Sequence, residues 1–456
     1  MRRLALFLAV LSLVLAACGG GGGGEPAEKE APSGPVGITL WHSETASNND
    51  SLTKLVDRFN ASQNEVKVQP SFQGSDVDLT LKLIAGMPSG NVPTIAYMSE
   101  GYAQALIDSG EITPVQEYVD KEDYDLSDFA PAATAYYTVD DTLYAMPCGV
   151  LVPLMYYNKI AFQEAGLDPD QPPSDLDEVR AASEKLVQRD SAGNVTRFGL
   201  ALEISPWFVR FMLAGASELY VNGENGRDGF ATEVAFDNEA GQKLFQWWHD
   251  MVQDGLALNI GWDPSGANGL LAVAARKAAM VFSSSAALRS VMDVLAKGIE
   301  GIDLGVAPVP GIPGKVPEGS PGVYSRSLWI MSGRPQEEQD AAWRFIRWFS
   351  EPEQQAEWFA GSGYLPVRNS AYDLPAAKEI IARYPPFQIP ADLFPKTATT
   401  TAALGPLLGP FQQVEDGIRA AIESMVSGSA SPDEAMQAAV KAGNAAIKEY
   451  NDRMGR

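Results

Sequence analysis

Only His42 and His249 could act as imidazole bases in this 456-residue chain, so a Ser-His-Asp or Cys-His arrangement has few places to form. No His-Glu-x-x-His stretch offers zinc its ligands. Gly314-Lys315 runs into Val316, where a phosphate-binding loop needs Ser or Thr. Acids are plentiful, 58 Asp and Glu against 34 Lys and Arg. A carboxylate pair of the glycoside-hydrolase kind is therefore compositionally open, but no segment pairs acids in a hydrolytic context. Binding chemistry remains, without a cofactor motif. Hydroxyl-rich ligands need directional donors and acceptors, and flat apolar rings for their C–H faces. Of the nine tryptophans, Trp247, Trp248, Trp329, Trp343, Trp348 and Trp358 fall inside helix or strand patterns and are expected in the core or on a helix surface. Trp207 follows Ser205-Pro206, and Trp262 lies in Gly261-Trp262-Asp263-Pro264. Both are beside turns, where an aromatic ring either faces a cleft or forms an apolar lid.

The elements that would position these residues read as α/β. Residues 37–41 are a buried strand, and Leu52, Leu55, Val56 and Phe59 mark one face of a helix over 51–62. Val66, Val68 and Phe72 alternate as a second strand, and 94–98 is a third after Gly90-Asn91. This succession implies a lobe with a largely parallel sheet. Further strands are expected at 151–158, 279–283, 301–308 and 327–332, and helices at 337–350 and 432–450. Trp41, His42 and Ser43 end the first strand, where such sheets place their ligands. His42 either donates to a ligand hydroxyl or caps the next helix.

At the N-terminus Arg2 and Arg3 precede an apolar run over 4–15, which ends in Leu15-Ala16-Ala17-Cys18. This is the anatomy of a signal peptide, and the run is too short for a transmembrane span. Glycines 19–24 and a Pro/Glu/Lys/Ser stretch follow, a flexible tether. The net charge of −24 excludes nucleic acid as a partner, which calls for basic patches. The body beyond the tether, about 420 residues, exceeds one core and implies two lobes.

Several segments resemble the extracellular solute-binding proteins of carbohydrate-type ABC importers (family 1), most closely their glycerol-3-phosphate-binding branch. They are Leu40-Trp41-His42-Ser43, Arg58-Phe59-Asn60, Gly90-Asn91-Val92-Pro93, Pro153-Leu154-Met155-Tyr156-Tyr157-Asn158-Lys159, Ala165-Gly166-Leu167-Asp168-Pro169, Trp343-Arg344-Phe345-Ile346 and Gly363-Tyr364-Leu365-Pro366-Val367. The segment ending in Cys18 is similar to a bacterial lipobox; the alternative is a plain signal peptide with an incidental cysteine. The resemblance implies a two-lobed periplasmic-binding-protein fold (type II), with a ligand cleft between α/β lobes and a hinge crossed several times. The division expected is a lipoprotein signal peptide at 1–17, a lipid-anchored tether at 18–36, lobe one at 37–145 plus 286–330, and lobe two at 146–285 plus 331–456. Crossings are expected near 144–147, 282–285 and 328–334. It further implies a monomer on the outer face of the cytoplasmic membrane or in the periplasm, held by lipid on Cys18. That monomer would deliver a small molecule to permease subunits and be no enzyme.

Residue by residue, the resemblance places Trp207 at a ligand-stacking tryptophan, Asp76 where relatives present a tyrosine, and Glu100 at a ligand-binding glutamate. Glu100 has a rival role as a helix N-terminal acid. Ser284 and Ser285 match a serine-bearing hinge segment, and Tyr364 a ligand-contacting tyrosine. Tyr324 and Arg326 stand where relatives have small residues and would narrow and polarise the pocket. Two departures concern phosphate. Cys148-Gly149-Val150-Leu151 replaces a serine-rich stretch, and Ala403-Leu404-Gly405-Pro406-Leu407 lacks an arginine. A dianion would lose a bidentate partner worth roughly 1.5–3 kcal/mol. The expectation is a neutral sugar, oligosaccharide or polyol, with glycerol-3-phosphate or a glycerophosphodiester as the alternative and Arg326 as the cation for an anionic ligand.

Overall fold

A computed structural model describes residues 34–263 and 266–456; the signal peptide, Cys18 and the glycine tether lie outside them. The strands are β1 (Val36–His42), β2 (Val66–Phe72), β3 (Ile95–Ser99), β4 (Ile112–Thr113), β5 (Thr138–Val139), β6 (Thr142–Leu143), β7 (Met146–Leu151), β8 (Pro153–Asn158), β9 (Gln188–Arg189), β10 (Val195–Leu202), β11 (Ala257–Asn259), β12 (Ala278–Ser284), β13 (Leu304–Pro308) and β14 (Tyr324–Met331). They form two main sheets, β2-β1-β3-β14-β4 with β7 also on β14, and β11-β10-β12-β8-β13 with β9 on β10. β5 and β6 make a separate hairpin.

Two hydrophobic cores underlie the sheets, and the first also takes in Leu154, Tyr156, Val281 and Val306 from one face of the second sheet. The first joins Leu40, Val56, Ile95, Trp329, Trp343 and Phe345; the second joins Met155, Phe162, Leu200, Trp248, Met280 and Ile418. β8 is buried along its whole length, as helix-covered sheets require, and its sequence is accordingly an apolar run up to the closing Asn158. Fully burying one such large side chain contributes about 1.5–3 kcal/mol. The helix Ala46–Ser62 covers the first sheet through Leu52, Leu55, Val56 and Phe59, the stripe its sequence spacing predicts. The helix Gln336–Phe349 buries Ala341, Ala342, Trp343, Phe345, Ile346 and Phe349 in the same core. The helices Phe411–Val426 and Pro432–Met454 belong to the second, the latter opened by a capping box of Ser431 and Glu434.

The two-lobed architecture is as expected, but three segments sit on the opposite side from their sequence assignment. Residues 146–151, assigned to lobe two, are β7 of the first sheet. Residues 304–308, assigned to lobe one, are β13 of the second. The helix at 336–349 and the chain after it to Leu407, assigned to lobe two, pack in the first core. The chain passes between the sheets at Leu151–Pro153, not at 144–147, returns through 285–287 into the helix Leu288–Leu295, and goes back to the second sheet for β13. It crosses again between β13 and β14, and its buried side chains stay with the first core through Leu407. Residues 146–157 are one apolar run to the eye; only the pairing partners, β14 for one half and β12 and β13 for the other, divide it.

Candidate functional site

Two largely buried polar clusters stand out, one built from the first body alone and one that spans the two bodies. The first hangs on Arg326, in the middle of β14. Its Nη1 lies 2.8 Å from both carboxylate oxygens of Asp76. Its Nε donates to the Tyr364 hydroxyl at 3.0 Å and lies 3.3 Å from Glu44. Tyr364 in turn donates to Glu44 at 3.0 Å, and the Ser43 hydroxyl donates to Asp76. A β-bulge between Arg326 and Ser327 in the pairing with β7 re-aims the strand at this point. Gly363 adopts φ 86°, and a Cβ there would meet the Ser285 carbonyl at 2.4 Å. Only glycine can end the helix Pro352–Ser362 so tightly, and that turn seats Tyr364 with its ring stacked on Trp358 at 5.5 Å. Burial pushes the Tyr364 phenol well above its ordinary pKa, so it acts as a neutral donor.

The second cluster spans the bodies. Glu100, after β3, accepts from Arg210 Nη1 at 3.0 Å and from the backbone of Ser325 at 3.3 Å. Arg210 comes from the helix Pro206–Gly215 of the second body. Its Nε lies 3.1 Å from Glu415, near enough to pair by charge though off the line of a hydrogen bond. Tyr220 donates to Glu415 at 2.9 Å. The guanidinium sits 4.8 Å from the ring centre of Phe411 and 5.5 Å from that of Tyr324. Trp207 meets Tyr324 edge to face at 5.5 Å. Burial raises the Glu415 pKa, while Arg210 and a hydrogen bond from Tyr220 pull it back. Around Glu100, Tyr136, Arg210, Tyr220 and Tyr324 a void of about 10 Å³ remains, room for roughly one water. The bodies approach closely beside it: a Cβ on Gly101 would lie 2.2 Å from Phe411.

Of the residues singled out in the sequence, Asp76, Arg326 and Tyr364 meet in the first cluster, and Glu100, Trp207 and Tyr324 in the second. Trp41 is half-buried against the first core. His42 is buried on the other face of β1, its ring 6.0 Å from Phe72 and its Nδ1 without a partner. Desolvation lowers its pKa to about 4. Strand alternation decides this, since His42 follows Leu40 onto the core face; it neither caps the next helix nor joins a cluster. Trp262 is 49% exposed with Arg419 stacked 4.7 Å over it, so its turn faces solvent. Ser285 is wholly buried and ties the hinge: its amide donates to the Val152 carbonyl at 2.9 Å and its Oγ accepts from the Val152 amide at 3.2 Å. The Ser284 carbonyl accepts from Tyr156 at 2.8 Å. These serines serve the crossing between sheets.

Glu44, Arg210 and Glu415 were not anticipated. Two had a signal: Glu44 directly follows Trp41-His42-Ser43, and Arg210 lies three residues after Trp207 in the otherwise apolar helix PWFVRFMLAG, on the same face. Glu415, in an ordinary amphipathic helix, had none.

Residues 54–387 match the family described as bacterial extracellular solute-binding protein. The chain is 30% identical over 416 residues to the sn-glycerol-3-phosphate-binding periplasmic protein UgpB of Rhizobium meliloti (strain 1021), covering 90% of this chain and 93% of that protein. It superposes on the cyclic alpha-maltosyl-1,6-maltose binding protein from Arthrobacter globiformis with TM-score 0.68 and 25% identity, covering 91% and 100% of the two chains. On UgpB from Mycobacterium tuberculosis in complex with glycerophosphocholine the TM-score is 0.75 at 21% identity, covering 92% and 99%. With two α/β bodies, a polar aromatic seam and a match over most of its length, the chain belongs to the bacterial extracellular solute-binding proteins.

Proposed function

We propose that this protein is the substrate-binding lipoprotein of an ABC importer, anchored through Cys18, which captures a sugar, oligosaccharide or polyol between its two bodies and hands it unchanged to the permease. The observation that carries the reading is the composition of the two clusters. Each cluster sets an arginine between two carboxylates, and Trp207, Tyr324 and Tyr364 stand beside them. Carboxylates accept from sugar hydroxyls, guanidiniums donate to them, and indole and phenol faces cover C–H surfaces. A void of about 10 Å³ is far below the roughly 300 Å³ or more of a ligand pocket, so the bodies part to admit ligand and close over it. The hinge at Val152 and Ser285 is where that rotation is absorbed.

A second reading, glycerol-3-phosphate or a glycerophosphodiester, draws support from the 30% identity with the UgpB protein along nearly the whole chain. A thermal-shift panel of sugars, polyols and glycerophosphodiesters separates the two. A ligand at 100 times its dissociation constant adds about 2.7 kcal/mol of stability, and the same ligand should reduce the radius of gyration in small-angle scattering. Stabilisation by no member of either class would refute both readings.

A further inference from the structure

Three guanidiniums lie in or beside these clusters, and one differs from the others. Arg210 and Arg326 each face two carboxylates. Arg227 has no carboxylate partner among the described residues: its Nη1 donates to the Tyr136 carbonyl at 3.3 Å, its Nη2 reaches the Gly405 carbonyl at 3.5 Å, and its Nε is buried with no acceptor. The neighbouring Glu224 is turned to Thr401 at 2.6 Å, and Asp228 is exposed. The guanidinium lies 4.9 Å over the ring of Tyr136. Carbonyls at these distances and one ring face are weak compensation for a partly buried cation whose Nε is closed off from solvent.

Its position gives this meaning. Tyr136 and Gly405 both line the void beside Glu100 and Arg210. Tyr136 belongs to the first core, whereas Arg227 lies between Val221 and Ala231 of the second. When the bodies part, Tyr136 leaves with the first, and Arg227 is bared to the cleft. An anion meeting Arg210 or Arg326 must displace carboxylates already in place; one meeting Arg227 displaces only carbonyls.

We infer that Arg227 is the anion-reading residue of this cleft, donating charge-assisted hydrogen bonds to a phosphate or carboxylate oxygen of the ligand. The inference rests on the second reading above, in which the ligand carries a phosphate. Calorimetry on the full-length protein tests it with sn-glycerol 3-phosphate, glycerophosphocholine and maltotriose. Arg227→Gln keeps an N–H donor for the carbonyls and removes the charge, and Arg227→Lys keeps the charge. The Gln variant should bind both phosphates roughly tenfold or more weaker and bind maltotriose as the native protein does, while the Lys variant retains part of the phosphate affinity. Undiminished phosphate binding by the Gln variant would overturn the inference and leave the phosphate reading standing. Failure of the native protein to bind either phosphate would overturn that reading, and the inference with it. Melting temperatures of both variants establish that the folded proteins are being compared.

Discussion

Replacing Arg210 with Met keeps most of the stem and removes the charge that Glu100 and Glu415 share. The three side chains are 10%, 9% and 11% exposed, so solvent does little to compensate. Breaking a buried ion pair from one side costs about 3–5 kcal/mol. At roughly 2.1 cal/mol/K per residue, about 420 residues unfold with ~0.9 kcal/mol/K of entropy, so the melting temperature should fall by about 3–6 °C. The loss should depend on pH. Burial already holds the Glu415 pKa above the ordinary carboxylate value, and without Arg210 it climbs further. A group whose pKa is raised by folding lends stability at low pH and withdraws it as pH rises through the folded pKa. Arg210→Met should therefore melt close to the native protein near pH 5 and show the full deficit near pH 8, by calorimetry at fixed ionic strength. An equal deficit at both pH values would refute the account, because the cost would then lie in packing against Phe411 and Tyr324.

Trp207→Ala should weaken ligand binding by about 2 kcal/mol or more in titration calorimetry, as for a buried aromatic anchor. Trp262→Ala, whose ring is half exposed, should leave affinity unchanged. Cys18→Ala should move the protein from the membrane to the soluble fraction without altering its melting temperature; equal retention would remove the lipid anchor from the proposal.

The helices and strands were largely legible because burial follows period: Leu52, Leu55, Val56 and Phe59 announce a helix, and β3 and β8 announce strands covered on both faces. Lobe membership was not. A strand's sheet is a long-range pairing choice, and nothing within residues 146–158 marks Val152 as the point of exchange. Site residues divided along the same line. Glu100, Trp207 and Tyr364 could be placed because they lie beside element ends or on recognisable segments, whereas Arg210 and Glu415 acquire their role only when two helices distant in sequence face each other. His42 shows the reverse error, a chemically capable side chain that strand alternation turns into the core.

The place of β14 in the first sheet also governs when that sheet can form. It lies between β3 and β4 and pairs with β7, bringing Ile330 alongside Ile95 and Leu328 alongside Met146. Until residue 331 has left the ribosome, β1, β2 and β3 have no partner on the β14 side, and the first core lacks Trp329, Trp343 and Phe345. Such long-range closure folds slowly, so most of the nascent chain stays without a completed body, a state suited to passage through a membrane before folding.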